Sequence, residues 1–103
     1  MKRRNALDAM IAEALVDCYN DSEMMTAMMT AIQDHLDLPF TTNVLGSIVN
    51  VVAVELNDAG EIAALCNCDG KRQRIPLLDL PLPDPPPSGA ERVAAFRRFA
   101  RRR

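Results

Sequence analysis

The chain has 103 residues, 49% of them hydrophobic and 25% charged, with a net charge of −2, three Cys, one His and no Trp. That is enough for one small core built from aliphatic side chains. It excludes a site built on two histidines, and no apolar run approaches the ~18 residues a membrane span needs.

The charges are segregated. No Lys or Arg occurs between Asn5 and Gly70, a span with eleven Asp and Glu. Residues 1–80 carry six basic and twelve acidic side chains, and residues 81–103 carry six and two. An acidic body followed by a basic tail implies different partners for the two parts. Met1-Lys2-Arg3-Arg4 resembles the start of a secretory signal, but Asp8 and Glu13 interrupt the apolar stretch that should follow. Without such a signal, an odd number of Cys points to free thiols and a cytoplasmic location.

In chain order, residues 5–18 have helical spacing, with Leu7, Met10/Ile11, Ala14/Leu15 and Cys18 on one stripe. Asn20-Asp21-Ser22 interrupts it. Asp21 or Ser22 is placed to cap a second helix, with Glu23 in its first turn. Met24/Met25, Met28/Met29, Ile32 and Leu36 form that helix's apolar stripe, read as core filler because Met adapts to irregular gaps. Pro39 stops the helix.

Strands follow at 40–45 and 47–56, bent at Gly46. Asn57–Gly60 is turn chemistry, 61–68 a third strand, Asp69-Gly70 a two-residue hairpin signal and 71–77 a fourth strand. Pro76 puts that last strand at an edge. The fold class expected is α+β: two N-terminal helices, then a small antiparallel sheet, curled or closed as an SH3-like barrel. Residues 1–80 read as the domain and 81–103 as a Pro-rich linker with an arginine-rich tail. Ser88 and Glu91 have capping-box spacing, opening a short helix with Val93, Phe96 and Phe99/Ala100 on one side and arginines on the other. The tail has three readings: a frayed end, a weak contact with nucleic acid or an anionic surface, or a segment folded back on the acidic body.

No phosphate loop, HExxH, GxSxG or EF-hand pattern occurs. His35 has no spacing that pairs it with a Cys, so no enzyme is expected. Cys66 and Cys68 share a strand face and read as inert thiols. Tyr19 is expected to pack at the helix–sheet junction, and His35 to lie on the surface near a helix C-terminus.

The carboxylates suggest a cation. Glu13, Asp17 and Asp21 would share one helical face if the first helix continued, with like charges opposed at i, i+4. Asp34 and Asp37 sit where the second helix's dipole disfavours them. Calcium takes six to eight oxygens, and the candidate ligands are Asp17, Asn20, Asp21, Glu23, Asp34 and Asp37. A solvated acidic face and a simple helix cap explain the same residues without a metal.

Val16-Asp17-Cys18-Tyr19-Asn20-Asp21-Ser22-Glu23, then Leu36-Asp37-Leu38-Pro39-Phe40, then Ile75-Pro76-Leu77-Leu78-Asp79-Leu80 occur in this order. The order resembles the small acidic bacterial calcium-binding protein family of the CcbP type, whose pattern runs VDAYxxxE, an acidic helix ending in FPF, and VPLxxL. Asp17, Tyr19 and Glu23 match the first segment, Pro39 and Phe40 the second, and Pro76, Leu77 and Leu80 the third. The likeness covers about residues 5–80; Thr26-Ala27-Met28-Met29 stands where the family has aromatics. It implies helices first, a small sheet or barrel second, and calcium bound at surface carboxylates. The expected function is low-affinity calcium binding or buffering, with a Kd on the order of 10⁻⁴ to 10⁻³ M. The alternative is a protein-interaction module of the same fold, calcium incidental, with the basic tail touching a macromolecular partner.

Overall fold

A computed structural model describes residues 2–102, with side chains from Ala6 onward. The order is α1 (Lys2–Ala14), α2 (Asp21–His35), β1 (Phe40–Val44), β2 (Ser47–Leu56), β3 (Ile62–Cys68), β4 (Lys71–Pro76), a 3₁₀ turn at Leu77–Asp79, and α3 (Ala90–Arg101). The sheet is an open antiparallel meander in sequence order, so the α+β class holds and the barrel does not close. No helix among the described residues is long and apolar enough to cross a membrane.

Alternation in β2 and β3 makes one sheet face apolar. Val49, Val51, Val54, Ile62, Ala64 and Cys66 are buried there in one cluster with Met25, Met28 and Ile32 of α2 and Leu36 just beyond it. A register shift between Val51 and Ala53 keeps Val51 and Val54 on this face although they are three residues apart. The helices lie over it, and the methionine stripe does fill core.

Strand β1 is short, and its register ends at Phe40 opposite Val51. The far half of β2 therefore has an unpaired edge. Gln33 of α2 covers part of it, donating from Nε2 to the Val54 carbonyl at 2.7 Å. At the opposite edge, β4 carries Lys71, Arg72 and Arg74 and ends in Pro76, features that discourage pairing with another sheet.

The apolar side of α3 is core. Val93, Ala95, Phe96 and Phe99 are buried in the same cluster as α2 and the sheet. Each large side chain contributes about 1.5–3 kcal/mol on burial. The segment read from sequence as a tail therefore shares the core of residues 1–80. The proline run reaches α3 past β1, where buried Thr42 donates from Oγ1 to the Pro81 carbonyl at 2.7 Å. It then meets the end of α2, where Asp37 N–H donates to the Ser88 carbonyl at 2.8 Å.

Several local expectations change. Helix α1 ends at Ala14, because Asp17 takes a left-handed conformation (φ 66°) in the loop beyond it. Tyr19 lies in that loop and is 85% exposed, so it does not pack at the helix–sheet junction. Leu45 belongs to the β1–β2 turn and not to a strand. Ser88 is not a cap: Gly89 occupies the N-cap of α3 and no side chain caps that helix.

Candidate functional site

The six candidate calcium ligands lie at four places along the chain. Asp17 is in the α1–α2 loop, Asn20, Asp21 and Glu23 begin α2, Asp34 is in its last turn, and Asp37 lies beyond it. All six are exposed. The face shared by Glu13, Asp17 and Asp21 does not form, since α1 stops at Ala14. Asn20 and Glu23 are committed to capping. Asn20 Oδ1 accepts from the Glu23 N–H at 2.9 Å. The Glu23 carboxylate accepts from the Tyr19 N–H at 3.2 Å and from Asn20 Nδ2 at 3.1 Å. This reciprocal box satisfies amides that the helix leaves unpaired. Among the described residues no group of three or more His, Cys, Asp or Glu could hold a metal ion.

Sequence reasoning placed His35 correctly at the surface; its Nδ1 lies 2.9 Å from the Ala31 carbonyl. The three thiols are free. Burial pushes the Cys66 thiol above its ordinary pKa, which favours the unreactive protonated form.

The arginines of α3 have structural partners. Arg98 donates to both carboxylate oxygens of Asp8 on α1, at 2.6 and 3.1 Å, and Arg102 reaches the same carboxylate at 3.3 Å. The Asp8 hydrogen bond raises the Arg98 pKa, against a smaller opposing effect of burial. Arg97 donates to the Leu77 and Leu80 carbonyls and so ties the 3₁₀ turn to α3. Burial, and then the nearby Arg101 charge, lowers its pKa. Of the tail's three readings, folding back on the body describes Arg97, Arg98 and Arg102. Arg101 is exposed, with a 3.4 Å bond to the Arg97 carbonyl.

A feature missed in the sequence lies between these elements. A cavity of about 260 Å³ is lined by Met25, Ile62, Pro76, Leu78 and Phe96, with Glu61 at its rim. Through Met25 and Glu61 it joins a concavity bounded by Asp21, Ser22, Leu56 and Gly60. Through Leu78 it joins a third, bounded by Asp79, Pro81, Arg97 and Arg101. Sharing these residues, the three border one another as a segmented groove, with Asp21 and Glu61 lining one part and Asp79, Arg97 and Arg101 together in another. Leu78, half exposed in the middle, is one of five large hydrophobic residues at the surface among the described residues. The groove draws on α2, the β2–β3 turn, the 3₁₀ turn and α3, so no single stretch of sequence signals it.

No family model matches the chain, and neither the curated proteins nor the solved structures contain a match.

Proposed function

We propose that this protein is a non-enzymatic protein-interaction module that binds its partner through the groove centred on Leu78. The observation that carries this reading is the apolar cavity beside half-exposed Leu78, flanked by two concavities that have charged lining residues. Apolar centres with polar rims are the anatomy of protein interfaces. The basic tail serves this reading indirectly. Its arginines anchor α3, and α3 supplies one wall of the groove.

Calcium buffering draws support from the family resemblance and from the carboxylates of α2. Against it, Asn20 and Glu23 already use their oxygens in a cap, and among the described residues no three carboxylates gather where they could share an ion. The interaction reading is therefore preferred.

An amide NMR titration with calcium, with magnesium as control, separates the two. The module reading expects no saturable, calcium-selective shifts at residues 17–23 and 34–37. It also expects any polypeptide captured by the wild-type chain to be lost from a Leu78→Glu variant. Saturable calcium-selective shifts, with capture indifferent to Leu78, would overturn it.

A further inference from the structure

We infer that the concavity between α1 and α3 is a binding site for a phosphomonoester, with the phosphate held by Arg98, Arg101 and Arg102. The site is separate from the Leu78 groove and does not depend on it. A cavity of about 330 Å³ lies there, lined by Leu7 of α1 and by Ala94, Arg98, Arg101 and Arg102 of α3. That volume is at the small end of the range for ligand sites. Helical spacing brings the lining together. Arg98, Arg101 and Arg102 follow Ala94 by four, seven and eight positions and so share one side of α3, while Val93, Phe96 and Phe99 turn into the core. Ala94, with its short side chain, leaves room among the guanidiniums.

Charge decides what fits. The three guanidiniums share one carboxylate, that of Asp8, which leaves an excess of two positive charges. Glu91 lies one turn before Ala94 on the same side of α3 and does not line the cavity. Asp8 takes two N–H groups of Arg98 and one of Arg102, and Arg101 gives one to the Arg97 carbonyl. A guanidinium has five N–H groups, so each of the three keeps donors for a ligand. A phosphomonoester carries about −1.5 to −2 at neutral pH, which matches the excess, and the planar arginine fork suits phosphate oxygens. Leu7 and Ala94 give the organic part of the ester an apolar seat. A nucleic-acid strand fits less well. Each of its phosphates carries a single charge, and beyond the cavity the strand would meet a body with eleven acids and no Lys or Arg between Asn5 and Gly70. Asp8 holds Arg98 and Arg102 in place and competes with the ligand for their charge.

The experiment is an NMR titration of the full chain, following amide and arginine Nε–H signals, with phenyl phosphate at neutral pH and about 0.15 M salt. Phenyl sulfate, of similar shape and singly charged, is the control. Saturable shifts are expected at residues 7–8, 94, 98, 101 and 102, with a Kd on the order of 1 mM or below. Phenyl sulfate should bind several-fold more weakly. Arg101→Gln, at an exposed position, should weaken phenyl phosphate about tenfold, the loss of a hydrogen bond to a charged group. Asp8→Asn should tighten it, because the competing charge goes while the side-chain shape stays. Circular dichroism checks that both variants are folded. Shifts that do not saturate in the wild type would overturn the site. So would equal affinity for phenyl sulfate, or an Arg101→Gln variant that binds as the wild type does. A single-stranded oligonucleotide that displaces phenyl phosphate at equal phosphate concentration would overturn it in favour of nucleic acid. Free phosphoserine and a phosphoserine peptide separate two sources of the same ester. Equal affinity assigns a small molecule, and tighter binding of the peptide assigns a phosphorylated side chain.

Discussion

Asp8 Oδ1 lies 2.6 Å from Nε of Arg98, and Asp8 Oδ2 lies 3.1 Å from the same guanidinium. The two residues are ninety positions apart, so this fork joins the first helix to the last. Arg102 adds a longer contact to the same carboxylate. Two-point geometry orients the guanidinium better than a single contact would, and both side chains are partly in water, where salt screens them. Asp8→Ala should lower the thermal midpoint modestly. The difference from wild type should shrink as salt is raised from 0.05 to roughly 1 M, where the screening length falls to about 3 Å. A loss independent of salt would point to packing and not to charge.

The apolar side of α3 should matter far more than its charges. Phe96 is 2% exposed and Val93 is fully buried. Phe96→Ala should cost about 3–5 kcal/mol in chemical denaturation, as large core truncations do. Deleting residues 81–103 removes Val93, Phe96 and Phe99 together and uncovers their partners on α2 and the sheet. The truncated chain should lose the cooperative unfolding transition. A cooperatively folded 1–80 fragment would show that the core closes without α3.

How much of this was legible in the sequence depends on how local each signal is. The alternation of β2 and the Asp69-Gly70 turn were plain, since both are decided by neighbouring residues. The observed turn has φ of 52° and 77° at those positions, the left-handed pair that such a hairpin needs. The stripe Val93, Phe96, Phe99 was also visible, but nothing local says which surface covers it. A proline run before it and a net positive charge gave the segment the look of a tail. Tyr19 was misplaced because the left-handed Asp17 redirects the loop, and an Asp offers little warning of that. In the candidate site, a cap at the start of α2 was legible within a few residues, but it falls on Asn20 and not on Asp21 or Ser22, because the Asn20 side chain is the one that accepts from the Glu23 N–H. The groove brings together residues from 21 to 101 and could not.

Gly89 is the position least able to accept a side chain. Its φ is 87°, and a Cβ there would sit 1.9 Å from the His35 carbonyl oxygen and 2.7 Å from the Leu36 Cα. Both neighbours are backbone, so neither can rotate away. Gly89→Ala should destabilise the chain by more than about 2 kcal/mol, combining left-handed strain with the clash. A change below about 0.5 kcal/mol in urea unfolding would mean that α2 and α3 do not approach as closely as described.

Leu45 presents the opposite case, a side chain whose removal should help. It is fully exposed, with φ of 50°, beside Gly46 at 85° in the β1–β2 turn. Asn43 Oδ1 accepts from the Gly46 N–H at 2.8 Å and supports the turn from outside. A left-handed conformation costs an ordinary residue about 1–2 kcal/mol, and Asn tolerates it better. Leu45→Asn should therefore raise stability by about 0.5–1 kcal/mol and leave the sheet register unchanged. A loss would show that Leu45 makes a contact in solution that its exposure conceals.

Cys66 provides a test that depends on pH. Its side chain is 1% exposed, and burial raises its pKa above the ordinary 9.0. The folded chain then holds this proton in a range where the unfolded chain has released it. Stability from this residue is fully present below the unfolded pKa and is lost as pH rises through the folded one. Cys66→Ala should remove this part of the alkaline decline in the unfolding free energy above about pH 9, although it also leaves a small void. In the native chain at neutral pH, an alkylating reagent should modify the half-buried Cys18 first and leave Cys66 untouched until denaturant is added. Modification of Cys66 at the rate of Cys18 would mean that the sheet opens locally at β3.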